Sequence, residues 1–141
     1  MKRNGSAEWK GGIRDGKGTV STESGILNQT QYSFTSRFED GQGTNPEELI
    51  AAAHAGCFSM AFSAQLEKEG LKANSIKTTA TVTLEKSEGG FSIPSIHLKV
   101  VGIVPDVDHA TFNKIANSAK EGCPVSKLMN AKITMDATLE N

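Results

Sequence analysis

Apolar positions recur along this chain with two different periods, every second residue in some stretches and every third or fourth in others, and the periods mark out its elements. In the first forty residues, Ala7–Trp9, Gly16–Ser21 and Tyr32–Phe38 read as short strands joined by GG, DGKG and SG turns. In the third of these, Tyr32, Phe34, Ser36 and Phe38 fall on one side and Ser33, Thr35 and Arg37 on the other. Arg37 is thus expected to point away from an aromatic face. A Gly-rich linker, DGQGTNPEEL, then leads into a helix start, with Asn45 as N-cap, Pro46 at the first helical position and Glu48 three residues after the cap. Glu47 and Glu48 suit the positive end of the helix dipole. The helix is expected over Pro46–Glu69, ended by Gly70, and its middle, Ala51–Gly56, is nearly all small side chains that let another backbone come close.

Alternation returns in SIKTTATVTLEK, turns at SEGG and continues through FSIPSIHLKVVGIV, where Pro94 marks an edge or a bulge. Asp106–Glu121 reads as an amphipathic helix carrying Phe112, Ile115, Ala116 and Ala119, closed by Gly122. Cys123-Pro124 opens a short helical turn, and AKITMDATL forms a last strand. The pattern predicts an α+β domain of about six strands and two main helices, without internal repeats.

At 141 residues the chain is one ordinary domain, 1–141, long enough to bury a core. Hydrophobic residues at 37% and charged residues at 22% place it among folded globular chains. Fifteen Lys and Arg against sixteen Asp and Glu give a net charge of −1, which lacks the footprint of a nucleic-acid binder. MKRNGSAEWKGG has no apolar run behind its basic residues, so no secretory signal is expected. No stretch reads as about eighteen consecutive apolar residues, so no membrane span is expected either. The expected location is the cytoplasm, where a cysteine pair is more often catalytic or metal-binding than a static crosslink.

There are two cysteines, Cys57 and Cys123, which form no CxxC. The three histidines, His54, His97 and His109, show no metal-ligand spacing, and no metal site is expected. Cys57 lies deep in the long helix, where it is either a small buried hydrophobe or a nucleophile. The second role needs a nearby cation or helix N-terminus, because an ordinary thiol is only a few per cent ionised at neutral pH. His54, one turn earlier, or an arginine from elsewhere are the candidates; His54 itself reads as a base, a ligand or a core histidine. Cys123 stands at the start of a helical turn whose free N–H groups stabilise a thiolate. Local chemistry alone favours Cys123 as the nucleophile. Arg37 alone reads as a solvent-facing strand residue, and Glu47 and Glu48 as capping residues.

The runs TNPEELIAAAHAGCFSMAFS, GKGTVSTESGILNQ, SFTSRFE and AKEGCPVSKL together resemble the OsmC/Ohr family of thiol-dependent hydroperoxide reductases, nearly end to end. The resemblance implies an OsmC-like fold, with antiparallel sheets around a long central helix, in an intertwined homodimer. It implies that Cys57 is the peroxidatic cysteine and Cys123 the resolving one, the reverse of the local reading. It carries Arg37 over as the arginine beside the reactive cysteine and Glu47 as the carboxylate that holds it. The implied cycle reduces an organic hydroperoxide, and hydrogen peroxide less well, through a Cys57 sulfenic acid and a Cys57–Cys123 disulfide. No metal, haem or flavin takes part; an external dithiol, of dihydrolipoyl type in Ohr proteins, closes the cycle.

Glu47 and Cys57 are ten residues apart on one helix, about 15 Å of rise. That is too far for one small site unless the arginine reaches across or the pieces come from different chains; with the intertwined homodimer that the resemblance implies, the expectation is that Arg37 and Glu47 of one chain serve Cys57 of the other. Phe38, Phe58 and Met60 are candidate walls of an apolar pocket. The rival reading is a non-enzymatic redox-sensing or ligand-binding module on the same fold.

Overall fold

In the computed structural model, which describes residues 1–141, six strands and four helices follow the predicted α+β order. The chain divides into two compact units, residues 1–49 and 50–141.

The first unit holds a three-stranded sheet, ordered β1 (Gly5–Lys10), β2 (Lys17–Thr22) and β3 (Thr30–Tyr32), antiparallel throughout. The segment Tyr32–Phe38 is not the continuous strand that its alternation suggests. The strand stops at Tyr32, and Ser33 caps a one-turn helix, α1 (Phe34–Phe38). Ser33 and Ser36 bond reciprocally: the Ser36 N–H donates to Ser33 Oγ at 3.3 Å, and the Ser33 N–H donates to Ser36 Oγ at 2.8 Å. The misreading has a simple cause. Phe34 and Phe38 are four apart, a spacing that places them on one face in a strand and in a helix alike. Here they stack at 4.9 Å as helical neighbours, and Arg37 rides on the last turn of α1.

The long helix α2 (Pro46–Lys68) begins as its sequence requires, with Asn45 Oδ1 accepting the Glu48 N–H at 2.8 Å. It ends in a Schellman motif: Leu71 N–H reaches the Leu66 carbonyl, Gly70 N–H reaches the Glu67 carbonyl, and Gly70 takes φ +73°. By length and composition alone α2 is long and apolar enough to cross a membrane, where the sequence pattern predicts no such stretch. Alanines supply much of that apolar character. Its buried residues, His54, Phe58, Phe62 and Leu66, form a stripe at helical spacing, of which the last three enter the core of the second unit. Ala52, Ala53, Gly56 and Met60 remain exposed in the single chain.

In the second unit the sheet order is β4 (Ser75–Ser87), β5 (Gly90–Ile103), β6 (Lys132–Leu139). The β4–β5 hairpin is antiparallel, and its register shifts between Thr83 and Glu85, opposite Ile93-Pro94. Pro94 is tolerated there because the β5–β6 ladder begins only at Ser95. That second ladder is parallel, a departure from the expected all-antiparallel sheets. The crossover through α3 (His109–Gly122) and α4 (Pro124–Leu128) brings the chain back in the direction of β5.

Helix α3 is capped by Asp108 and buries Phe112, Ile115, Ala116 and Ala119, the four positions its period picks out. Phe62 of α2 meets Phe112 edge-on at 5.1 Å, and both are fully buried with Leu98 and Val100 of β5. Each such side chain contributes about 1.5–3 kcal/mol by leaving water. This packing fixes α3 against α2, and so fixes the residue at the end of α3, Cys123.

Candidate active site

Cys123 is the C-cap of α3 and the N-cap of α4, with Pro124 opening the short helix. It is fully buried, whereas Cys57 on α2 is partly exposed. Their sulfurs lie 2.9 Å apart and both thiols are free. The distance exceeds that of a disulfide, about 2.05 Å, and the two sulfurs are hydrogen-bonded. Sixty-six positions of sequence thus close on one contact, and no loop has to move for the two to crosslink.

The surroundings treat the two thiols differently. Burial and the hydrogen bond with Cys123 push the Cys57 thiol above the ordinary value, against one stabilising N–H from Val125. Burial also raises Cys123, but it is outweighed by the neighbouring Cys57 thiol, by the Ser126 N–H and hydroxyl and by the Val125 N–H, which all favour the anion, so Cys123 falls below the ordinary value. Val125 and Ser126 belong to the first turn of α4, whose N–H groups make no capping hydrogen bond to the Cys123 side chain but lie close enough to favour its anion. Within one chain the negative charge is therefore better held on Cys123.

Two further side chains complete this cluster. His54 Nε2 lies 2.8 Å from Ser126 Oγ, both buried, and His54 Nδ1 is buried with no partner at all. Burial lowers the His54 pKa and keeps the ring neutral. Ser126 is the residue that the sequence reading passed over. The signal was present: His54 precedes Cys57 by three residues and Ser126 follows Cys123 by three, one helical turn in each case.

The first unit holds the other pair. Arg37 Nε donates to both carboxylate oxygens of Glu47 at 3.1 and 3.2 Å, and its Nη2 donates to Oε1 at 2.7 Å. Ser36 Oγ bonds the Thr44 carbonyl at 2.9 Å, and Asn45 Nδ2 donates to the Ser36 carbonyl at 3.1 Å, which fastens α1 to the start of α2 and sets the arginine against the glutamate. Arg37 also lies over the Phe38 ring at 5.1 Å. Beside it is a cavity of about 230 Å³ lined by Trp9, Ile13, Tyr32, Ser33, Phe34, Arg37 and Phe38. A larger cavity, about 430 Å³, lies over Ser6, Glu8, Lys10 and Thr19; its lining is polar and it has no thiol.

Of the three proposed pocket walls, Phe38 lines the apolar cavity, whereas Phe58 is a fully buried core residue and Met60 is 78% exposed. His97 bonds Thr134 and Asp136 across the β5–β6 ladder and has no place in the thiol cluster. No group of three or more His, Cys, Asp or Glu side chains is arranged to hold a metal ion.

The family model for OsmC-like protein matches residues 39–138, the span that carries α2 and both cysteines. The chain belongs to the OsmC family. Among OsmC and Ohr relatives, peroxiredoxin OsmC of Escherichia coli (strain K12) is 54% identical over 141 residues, 100% of this chain and 99% of that protein. Organic hydroperoxide resistance protein OhrB of Bacillus subtilis (strain 168) is 27% identical over 124 residues, covering 87% of this chain and 89% of its own. The crystal structure of OhrB of Bacillus subtilis matches with a TM-score of 0.72 at 26% identity, over 97% of this chain and 98% of that one. An OsmC-like protein from Mycoplasma pneumoniae shares the OsmC fold at a TM-score of 0.78 and 15% identity, over 100% and 99% of the two chains.

Proposed function

We propose that this protein is a thiol-dependent peroxidase that reduces organic hydroperoxides to alcohols, using Cys57 as peroxidatic and Cys123 as resolving cysteine. The 2.9 Å separation of the two sulfurs carries the reading, because it makes disulfide formation the next event after oxidation of either thiol. The names of the OsmC and Ohr relatives support the substrate class. The 54% identity over the whole chain supports treating residues 1–141 as one functional domain.

In the first step the Cys57 thiolate attacks the peroxide O–O bond. The S–O bond forms, the O–O bond breaks, and the alcohol leaves as it takes up a proton, with a sulfenic acid on Cys57. In the second, the sulfur of Cys123 displaces hydroxide from that sulfenic acid; the S–S bond forms and water departs. An external dithiol, of dihydrolipoyl type, returns both thiols by two exchanges and becomes a disulfide itself. The cycle fits a reducing compartment such as the cytoplasm, where a resting dithiol persists.

Within one chain, burial and Cys123 hold Cys57 in its thiol form, which is unsuited to the first step. A guanidinium brought to Cys57 would reverse that. The reading is that the protein is a homodimer in which Arg37, aimed by Glu47, serves Cys57 of the other subunit. The exposed Ala52, Ala53, Gly56 and Met60 on α2 supply a face of mostly small residues for such an approach. The apolar lining around Arg37 suits the hydrocarbon part of the peroxide.

The test is to add one equivalent of cumene hydroperoxide to the reduced protein, count free thiols, and map the crosslink by mass spectrometry in wild type and Cys123→Ser. A Cys57–Cys123 disulfide in the first and oxidised Cys57 in the second are expected. Thiols that stay reduced would overturn the peroxidase reading in favour of a non-enzymatic module.

A further inference from the structure

Neither step of the cycle consumes the His54–Ser126 pair, yet it occupies the dry side of the thiol cluster. His54 is fully buried, Ser126 is 8% exposed, and Cys123 is fully buried beside them. The proton placement follows from geometry. If Nδ1 carried the proton, an N–H donor would be buried with no acceptor, an orphan rarer in folded proteins than an unpaired acceptor. With the proton on Nε2, the ring donates to Ser126 Oγ at 2.8 Å, and the serine hydroxyl is left to donate to the Cys123 sulfur. The order is then His54 Nε2–H to Ser126 Oγ–H to Cys123 Sγ, with Cys57 Sγ 2.9 Å beyond.

We infer that His54 and Ser126 are positioning residues for the resolving step: together they hold the anion of Cys123, 2.9 Å from the Cys57 sulfur, ready to displace hydroxide from the sulfenic acid. This rests on the peroxidase reading for its chemistry. When Cys123 attacks, its electron pair forms the S–S bond, the S–O bond of Cys57 breaks, and the departing hydroxide takes a proton to become water. Neither His54 nor Ser126 is consumed, and no further reductant or oxidant enters. The pair also bears on the first step in the opposite sense. Each hydrogen bond that favours the anion on Cys123 draws the shared charge away from Cys57, so Ser126 trades rate of peroxide attack for rate of resolution.

The experiment is rapid-quench oxidation of reduced Ser126→Ala, His54→Leu and His54→Gln with one equivalent of cumene hydroperoxide. A sulfenic-acid trap reads the Cys57 intermediate and mass spectrometry reads the disulfide. In Ser126→Ala and His54→Leu, disulfide formation should slow about tenfold or more, the worth of one hydrogen bond to a charged sulfur, while oxidation of Cys57 does not slow. Glutamine places an N–H near the position of Nε2, so His54→Gln should recover most of the resolution rate. A fold defect would depress both steps together and lower the urea midpoint, and that result, or an unchanged resolution rate, overturns the inference. A second readout needs no peroxide. In the Cys57→Ser background, the ultraviolet thiolate absorbance of Cys123 should titrate at higher pH once Ser126→Ala is added. A coincident titration overturns the inference and leaves the peroxidase reading standing; a wild type inert to peroxide, with the titration shifted, removes that reading and leaves the anion-holding role.

Discussion

Gly102 on β5 offers a test of how the core positions Cys123. A Cβ built on Gly102 would lie 2.7 and 2.8 Å from Cε2 and Cζ of Phe112, closer than side-chain carbons approach. Two effects of Gly102→Ala oppose each other. The residue does not occupy the left-handed region, so alanine fits the backbone and should gain about 0.4–1 kcal/mol by restricting the unfolded chain. Against that, an extra methyl in a filled core costs about 1–3 kcal/mol. The clash wins, because the atoms in the way belong to a fully buried ring that also packs edge-on with Phe62 at 5.1 Å, which leaves it little room to swing clear. The net expectation is a loss of about 1–2 kcal/mol.

Urea unfolding at one fixed protein concentration measures this, with the midpoint falling by about 1 M at unchanged slope for a slope near 1–2 kcal/mol per molar. Because Phe112 sits on α3, the helix that ends at Cys123, the same change should slow Cys57–Cys123 disulfide formation. In a Phe112→Leu background the ring is gone, and adding Gly102→Ala should be neutral or slightly stabilising. A single mutant as stable as wild type would refute the claim that the ring is pinned, and with it the idea that the α2–α3 contact sets the thiol geometry.

Other changes probe the remaining parts. Arg37→Lys keeps the charge but loses the two-pronged contact with Glu47, so kcat/KM for an organic hydroperoxide should fall about tenfold or more, while stability, for a partly exposed pair, moves by less than about 1 kcal/mol; an unchanged kcat/KM would mean that charge alone suffices. A mixed dimer of Cys57→Ser and Arg37→Ala chains should retain activity if sites are shared between subunits, and a dead mixture would argue for sites within one chain. Asn45→Ala removes the cap on Glu48 N–H and should cost about 1 kcal/mol in urea unfolding. The lowered pKa of His54 gives a pH signature: stability is complete above the unfolded value of about 6.5 and declines as pH falls from there toward the folded value, because only the unfolded chain takes up the proton. The slope contributed is at most about 1.4 kcal/mol per pH unit, and His54→Gln should remove it; equal slopes in the two proteins would count against a neutral buried ring.

What was legible in the sequence divides along physical lines. Elements governed by their own residues came through: Asn45 and Pro46 started α2, Gly70 ended it, and the period of Phe112, Ile115, Ala116 and Ala119 gave the buried face of α3. Pro94 foretold the bulge. The segment at Arg37 failed because Phe34 and Phe38, four apart, satisfy both periods, and the deciding bonds between Ser33 and Ser36 are serine pairs rather than the usual serine and glutamate. The parallel β5–β6 ladder was hidden because strand direction depends on the whole crossover through α3 and α4, not on any residue in β6.

The thiol site shows the same division. The local argument that Cys123, at a helix start, is the better anion agrees with the direction in which its surroundings move its pKa, downward. The resemblance to the OsmC/Ohr family assigns the first attack to Cys57 instead. The two statements conflict only if the better anion must be the attacking one. Cys123 is fully buried, where a peroxide tail has no access, so the better anion is not the one the peroxide reaches. Cys57 is the partly exposed partner, and a cation supplied to it from a second chain would ionise it only where the assembled site is complete. Cys123, held ready in the interior, then meets its one target: an oxidised sulfur that needs to travel no distance to be resolved.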